Sequence, residues 1–79
     1  MEREEILAQL QGIFRDVLKN EGIVLEEETT ADAVEGWDSL AHVSLVMGME
    51  NHFGVKFSVK EMLKWDTVGK MVDSISSKL

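Results

Sequence analysis

The sequence predicts an all-α fold, a four-helix bundle with three longer helices, one short helix and a long loop between the first two. In three separate segments, apolar residues recur at three- and four-residue steps, as they do on the buried face of a helix. The chain contains no proline, and its hydrophobic fraction of 44% forms no long apolar run. Its 79 residues are expected to form one domain, residues 1–79, with a thin core.

The first helix is predicted over residues of about 3–19. Glutamates near its start and Lys19 near its end suit the helix dipole. Gly22 is its predicted stop. Its apolar stripe consists of Ile6, Leu7, Leu10, Ile13, Phe14, Val17 and Leu18.

A long connector, residues 20–37, follows without a sustained period. A turn of helix is expected near residues 32–34. The run Glu26, Glu27 and Glu28 lacks the alternating oxygen ligands and the glycine of an EF-hand, so it is expected to be a solvated face. A loop of this length in so small a domain often has a function.

The second helix is predicted from Ser39 to Phe53. Asp38 is a favoured N-cap residue, and Gly54 is the residue type that commonly follows a helix end. The inward stripe consists of Leu45, Val46, Met49 and Phe53. A second apolar ridge on this helix consists of Leu40, Val43 and Met47.

The short helical element is predicted around residues 58–64, where it would bury Met62 or Leu63. The last helix is predicted to begin near Thr67. Its apolar stripe consists of Val68, Met71, Val72, Ile75 and Leu79.

Three glycines, Gly12, Gly48 and Gly69, fall inside the predicted helices, where each costs about 1 kcal/mol relative to alanine. They are expected either to permit close helix contact or to be tolerated. An alternative is that they help a core containing methionines to open for a guest.

Composition narrows the function classes. Fifteen acidic and eight basic residues give a net charge of −7, which disfavours nucleic-acid binding and would attract a basic protein partner. There is no cysteine, and the two histidines do not cluster with carboxylates, so no metal site is expected. The charged start does not resemble a signal peptide. A cytoplasmic monomer without a membrane segment is therefore expected.

The segment EGWDSLAHVSL places Ser39 at the start of the second helix. A simple capping role would explain Asp38 and Ser39 but not the tryptophan before them. A hydrolase nucleophile is excluded because the Gly-Asp-Ser-Leu motif of an esterase family has its glycine replaced by Trp37, and no Asp-x-x-His follows. His42 lacks an orienting carboxylate and is expected to be a surface residue.

A serine at a helix N-terminus lies beside free backbone N–H groups, which would stabilise a phosphate ester formed there. The stretch Gly36-Trp37-Asp38-Ser39-Leu40, followed by VSLVMGMENHFGVKFS and later TVGKMVDSI, resembles the acyl carrier proteins. The resemblance covers nearly the whole chain, including the order and length of the helices. It implies that Ser39 receives 4′-phosphopantetheine from coenzyme A and that the protein is not itself an enzyme.

The resemblance also implies partners: a phosphopantetheinyl transferase, and the acyl-loading, condensing or acyltransferase enzymes of fatty-acid, polyketide or related lipid biosynthesis. The second helix is poorer in acidic residues than that of fatty-acid carriers, with Glu50 the first acid after Asp38. This difference favours a specialised member. Because the chain starts at Met1 and ends soon after its last predicted helix, a free-standing carrier is expected. A carrier of amino acids or aryl acids, and a helical interaction module that is never modified, remain alternatives.

Two further expectations concern the second helix. Partner enzymes are expected to dock on Asp38, Leu40, Val43 and Met47, with apolar contact contributing more than charge. The alternative is that this ridge packs under the connector. An acyl chain, if long enough, is expected to enter the bundle rather than stay in solvent. The candidate lining residues are Val43, Val46, Met47, Met62 and Ile75.

Overall fold

The computed structural model describes residues 1–79 and confirms the predicted all-α class. It contains α1 (Arg3–Val17), a 3₁₀ turn (Ala31–Ala33), α2 (Ser39–Phe53), the one-turn α3 (Val59–Met62) and α4 (Val68–Lys78). Helix α1 packs against both α2 and α4. No helix is both long and apolar enough to cross a membrane.

One hydrophobic core joins the three longer helices to the connector between α1 and α2. Each long helix contributes several residues of the apolar stripe predicted for it. The connector adds three apolar side chains, a contribution that the sequence pattern does not reveal. The buried hydrophobic residues are Ile6, Leu10, Phe14, Ile23, Leu25, Val34, Leu45, Met49, Phe57, Val68, Met71, Val72 and Ile75.

The end of α1 differs from the prediction. The helix stops at Val17 rather than near residue 19, and Lys19 takes the left-handed conformation with φ 53°. The amide of Asn20 then donates to the carbonyl of Arg15 at 3.0 Å, which closes the helix end as in a Schellman motif. Gly22, the predicted stop, lies in the turn that follows, where its amide donates to Asn20 Oδ1.

Helix α2 has the predicted bounds. Asp38 caps it, since its Oδ1 accepts from the amide of Ala41 at 2.8 Å, and Gly54 ends it with φ 67°. Its inward stripe is only partly buried. Leu45 and Met49 lie fully in the core, whereas the other two predicted members, Val46 and Phe53, are half-buried against it.

Two apolar residues that follow the ends of α3 and α4 are exposed. Of the two alternatives for the short helix, Met62 is half-buried against the core, whereas Leu63, which follows the end of α3, is 82% exposed. Leu79 follows the last residue of α4 and is 55% exposed. The prediction that Leu79 belongs to the inward stripe is wrong, because a residue beyond the last turn can leave the helical face.

The connector is clamped to the start of α4. The amide of Gly69 donates to the carbonyl of Glu27 at 2.7 Å, and the amide of Val68 donates to the carbonyl of Thr29 at 2.8 Å. A β-carbon added to Gly69 would lie 2.9 Å from that Glu27 carbonyl oxygen, so the close approach requires glycine here.

The acidic run in the connector is not simply a solvated face. Arg3 forms ion pairs with Glu27 at 2.5 Å and with Asp73 at 2.6 Å, which joins α1, the connector and α4. The hydrogen bonds from Arg3 hold the pKa of Glu27 below its ordinary value. Glu26 behaves in the opposite way: hydrogen bonding and charge repulsion with Glu28 raise its pKa.

Candidate functional site

Ser39 is the first residue of α2, and its side chain is exposed. The chain reaches it through Gly36, whose φ of 88° is a left-handed conformation that suits glycine, and through the Asp38 cap. The Asp38 carboxylate accepts from the amide of Ala41, and the Asp38 carbonyl accepts from the amide of His42 at 2.8 Å. The hydroxyl of Ser39 is thereby held at the rim of the bundle.

The backbone amides of Ser39 and Leu40 donate to no acceptor within the protein. Such unpaired N–H groups and the positive end of the helix dipole stabilise an anion placed at a helix N-terminus. Beside them is an open depression of about 400 Å³. Its lining residues are Ala31, Trp37, Asp38, Ser39 and His42. This arrangement fits a phosphate ester on the Ser39 hydroxyl, with space beside it for an attached chain.

His42 is not the surface histidine expected from the sequence. It is half-buried, and its Nδ1 accepts a hydrogen bond from the indole Nε1 of Trp37 at 3.0 Å. The Trp65 ring lies edge-on to His42, with 6.2 Å between ring centroids. The sequence did place Trp37 and His42 on either side of the cap residue Asp38, which could have suggested a contact. Whether the two rings form a hydrogen bond, however, depends on the direction in which the connector enters α2.

Trp37 and Trp65, the two tryptophans beside His42, also contact residues of the core and of α4. Trp37 meets the buried Phe14 of α1 edge to face, with 4.8 Å between centroids. Trp65 meets Phe57 in the same way at 5.0 Å and donates its indole N–H to the hydroxyl of Ser74 in α4. Trp37 is thus joined by an aromatic contact to α1 and, through His42, Trp65 and the hydrogen bond to Ser74, to α4.

The second apolar ridge of α2 faces solvent. Leu40, Val43 and Met47 are 83%, 59% and 58% exposed, so the alternative in which they pack under the connector is wrong. Next to them, between α2 and α3, is an apolar groove of about 410 Å³. Its lining residues are His42, Val43, Val46, Met47, Val59, Met62 and Leu63.

The structure therefore brings together most, though not all, of the residues predicted for attachment, docking and binding of the acyl chain. Asp38 and Ser39 share the depression, and Val43, Val46, Met47 and Met62 share the apolar groove. Ile75, the remaining candidate for lining a cargo site, is fully buried in the core and does not line the groove. Within the fold, no group of three or more His, Cys, Asp or Glu residues is placed to hold a metal ion.

Comparison with known proteins identifies what shares this arrangement. A model of the family described as "Phosphopantetheine attachment site" matches residues 8–75. The acyl carrier protein of Thermotoga maritima is 41% identical over 78 residues, which cover 98% of this chain and 95% of that protein. The acyl carrier protein of Coprothermobacter proteolyticus is 36% identical over 81 residues, covering 100% of this chain and 96% of that protein.

A solved structure has the same fold. The solution NMR structure of a holo acyl carrier protein from Geobacter metallireducens superimposes with a TM-score of 0.86. The match has 39% sequence identity and covers 91% of this chain and 83% of that one.

Proposed function

Because this chain belongs to the acyl carrier proteins, which hold 4′-phosphopantetheine, we propose that Ser39 is the residue to which that group is attached. Members of this family are carriers rather than enzymes. A phosphopantetheinyl transferase supplies the group from coenzyme A, and the terminal thiol of the arm then holds acyl groups as thioesters.

One observation supports the assignment of Ser39 above the others. Its hydroxyl is exposed at the N-terminus of α2, next to unpaired amides and an open depression. The backbone N–H groups favour the negative charge of a phosphodiester, and Asp38 is already engaged in capping the helix. Ser44, another serine of α2, is five residues further along and has no such amides beside it.

We further propose that partner enzymes dock on Asp38, Leu40, Val43 and Met47. Their exposure and their position along the helix that begins with Ser39 support this surface. An exposed apolar patch close to a modified residue is typical of a protein interaction site. Because α2 carries so few carboxylates, apolar contact is expected to contribute more to docking than charge pairing does.

The same scarcity of carboxylates supports a proposal for the pathway. The scarcity of acidic residues in α2 after Asp38, with Glu50 the first, favours a specialised lipid or polyketide pathway over general fatty-acid synthesis. The apolar groove next to α2 is the proposed seat of a long acyl chain, since burial of each methylene is worth about 0.8 kcal/mol.

The attachment is tested with an acyl-coenzyme A and a transferase of broad specificity. The native protein and Ser44→Ala should each gain the mass of one acyl-phosphopantetheine, and hydroxylamine should release the acyl part because it is a thioester. Ser39→Ala should gain nothing. Equal loading of Ser39→Ala and Ser44→Ala would refute the assignment.

A further inference from the structure

His42 lies where two cavities of the molecule meet. It lines the depression that Ser39 opens into, and it also lines the apolar groove between α2 and α3. Residues three apart on a helix are neighbours on its surface, so His42 lies one turn after Ser39 on the same side of α2. His42 is the one residue that lines both cavities.

The hydrogen bond from Trp37 determines which nitrogen of His42 carries a proton. An indole N–H can only donate, so Nδ1, which receives it at 3.0 Å, must present a lone pair. In the neutral ring the proton is then on Nε2. Nε2 has no partner within the protein, and no buried polar side-chain atom of the fold lacks a partner, so Nε2 is open to solvent.

The position of the ring is also constrained. Trp37 is held by its contact with the buried Phe14, and Trp65 is held by the hydroxyl of Ser74. His42 lies between these two indoles, with its plane within 12° of that of Trp37. The imidazole, which lines the same depression as Ser39, is therefore already ordered before anything binds there, and this lowers the entropic cost of a contact.

We propose that His42 is a positioning residue for the phosphodiester at Ser39, donating a hydrogen bond from Nε2–H to a phosphate oxygen while Trp37 keeps the ring in the tautomer that can do so. The inference rests on the attachment proposed above. The donor supplements the unpaired amides of Ser39 and Leu40. Its effect is to restrict the root of the arm and to direct the arm toward the groove.

If Trp37, His42 and Trp65 serve only to stabilise the fold, His42 should make no contact with the phosphopantetheine arm. The two roles are separated by NMR on fully converted protein, whose conversion is verified by intact mass. Long-range ¹H–¹⁵N spectra report the tautomer of each histidine ring, and ³¹P spectra report the phosphodiester. Exchange of the Nε2 proton of His42 with water is expected to slow about fivefold when phosphopantetheine is attached to Ser39. A factor of this size is what one ordinary hydrogen bond would produce.

The ³¹P resonance is also compared between native protein and variants of His42, Trp37 and His52. In His42→Phe the ³¹P resonance should shift from its native position, whereas His42→Gln, which keeps an N–H donor, should restore most of it. Trp37→Phe keeps an aromatic ring against Phe14 but removes the tautomer lock, so an intermediate shift is expected. His52→Phe is the matched control, because His52 pairs with Gln9 at 2.7 Å and does not line the depression.

Several results would overturn the inference. They are a native His42 with its proton on Nδ1, proton exchange that is unchanged by attachment, or a ³¹P resonance that is the same in native protein and His42→Phe. If His42→Phe fails to fold, the exchange measurement on native protein decides alone. If the native protein gains no mass, the attachment proposal is wrong and this inference falls with it; a gain without the spectral changes defeats only the role of His42.

Discussion

Replacing Gly69 with alanine tests how tightly the connector that precedes Ser39 is held. The new β-carbon would lie 2.9 Å from the backbone oxygen of Glu27, and 3.3 Å and 3.4 Å from atoms of the Glu27 side chain. A backbone carbonyl cannot rotate away as a flexible side chain can. The hydrogen bond of 2.7 Å from the Gly69 amide to that oxygen must therefore lengthen or break.

The magnitude follows from opposing effects. Overpacking costs about 1–3 kcal/mol, and loss of the hydrogen bond costs about 0.5–1.5 kcal/mol more. Replacing glycine by alanine in a helix returns up to about 1 kcal/mol. With that return counted in full, the free energy of unfolding of Gly69→Ala should fall by about 0.5–3.5 kcal/mol. Each kcal/mol shifts the melting temperature of a domain this size by about 4–8 °C, so the change can be measured.

Gly12→Ala is the matched control, because it makes the same chemical change at an exposed position in α1 with nothing within 4 Å of the added carbon. It should raise the free energy of unfolding by about 0.5–1 kcal/mol. Urea denaturation followed by circular dichroism at a helical wavelength gives both values. If Gly69→Ala proves as stable as Gly12→Ala, the proposed clamp between the connector and α4 does not exist in solution.

Three other predictions concern the docking residues of α2, the apolar groove and the Arg3–Glu27 ion pair. Val43→Asp or Met47→Asp should sharply slow transfer by a cognate partner enzyme, while the native rate changes little between low and moderate salt; tolerance of both variants with a steep salt dependence would show that charge governs docking. Loading a long acyl chain should shift the methyl NMR signals of Val43, Val46, Met47 and Met62, and shifts confined to residues around Ser39 would place the chain in solvent. Because Arg3 lowers the pKa of Glu27 below 4.5, the stability that this pair contributes is present above that value and lost as pH falls through the lowered pKa. Arg3→Met should therefore lose more stability at pH 7 than at pH 3, as measured by urea midpoints, and an equal loss at both would contradict the coupling.

The elements that sequence predicts well here are those with a local cause. The start of α2 is set by the Asp38 side chain, which accepts a hydrogen bond from the amide of Ala41. Its end is set by the left-handed backbone of Gly54. The end of α1 was misplaced because Lys19, a residue that seldom adopts positive φ, takes that conformation while Gly22 is used elsewhere.

The parts that sequence missed depend on contacts between distant segments. The connector has no period, yet Ile23, Leu25 and Val34 are buried because they pack into the same core as the three long helices. His42 looked like an unpartnered surface residue, since its partner Trp37 belongs to the connector rather than to α2. Similarly, the role of Glu27 emerges only when Arg3 and Asp73 are brought beside it by tertiary packing.

The most direct test of the central claim is peptide-level localisation of the modification. The protein is incubated with coenzyme A and a phosphopantetheinyl transferase, digested, and fragmented so that the mass of the group is assigned to a single residue. Attachment at Ser39 alone is predicted, because its hydroxyl lies beside the free amides at the start of α2. A group located on any other serine, or no modification of the native protein under conditions that modify a known acyl carrier protein, would contradict the account.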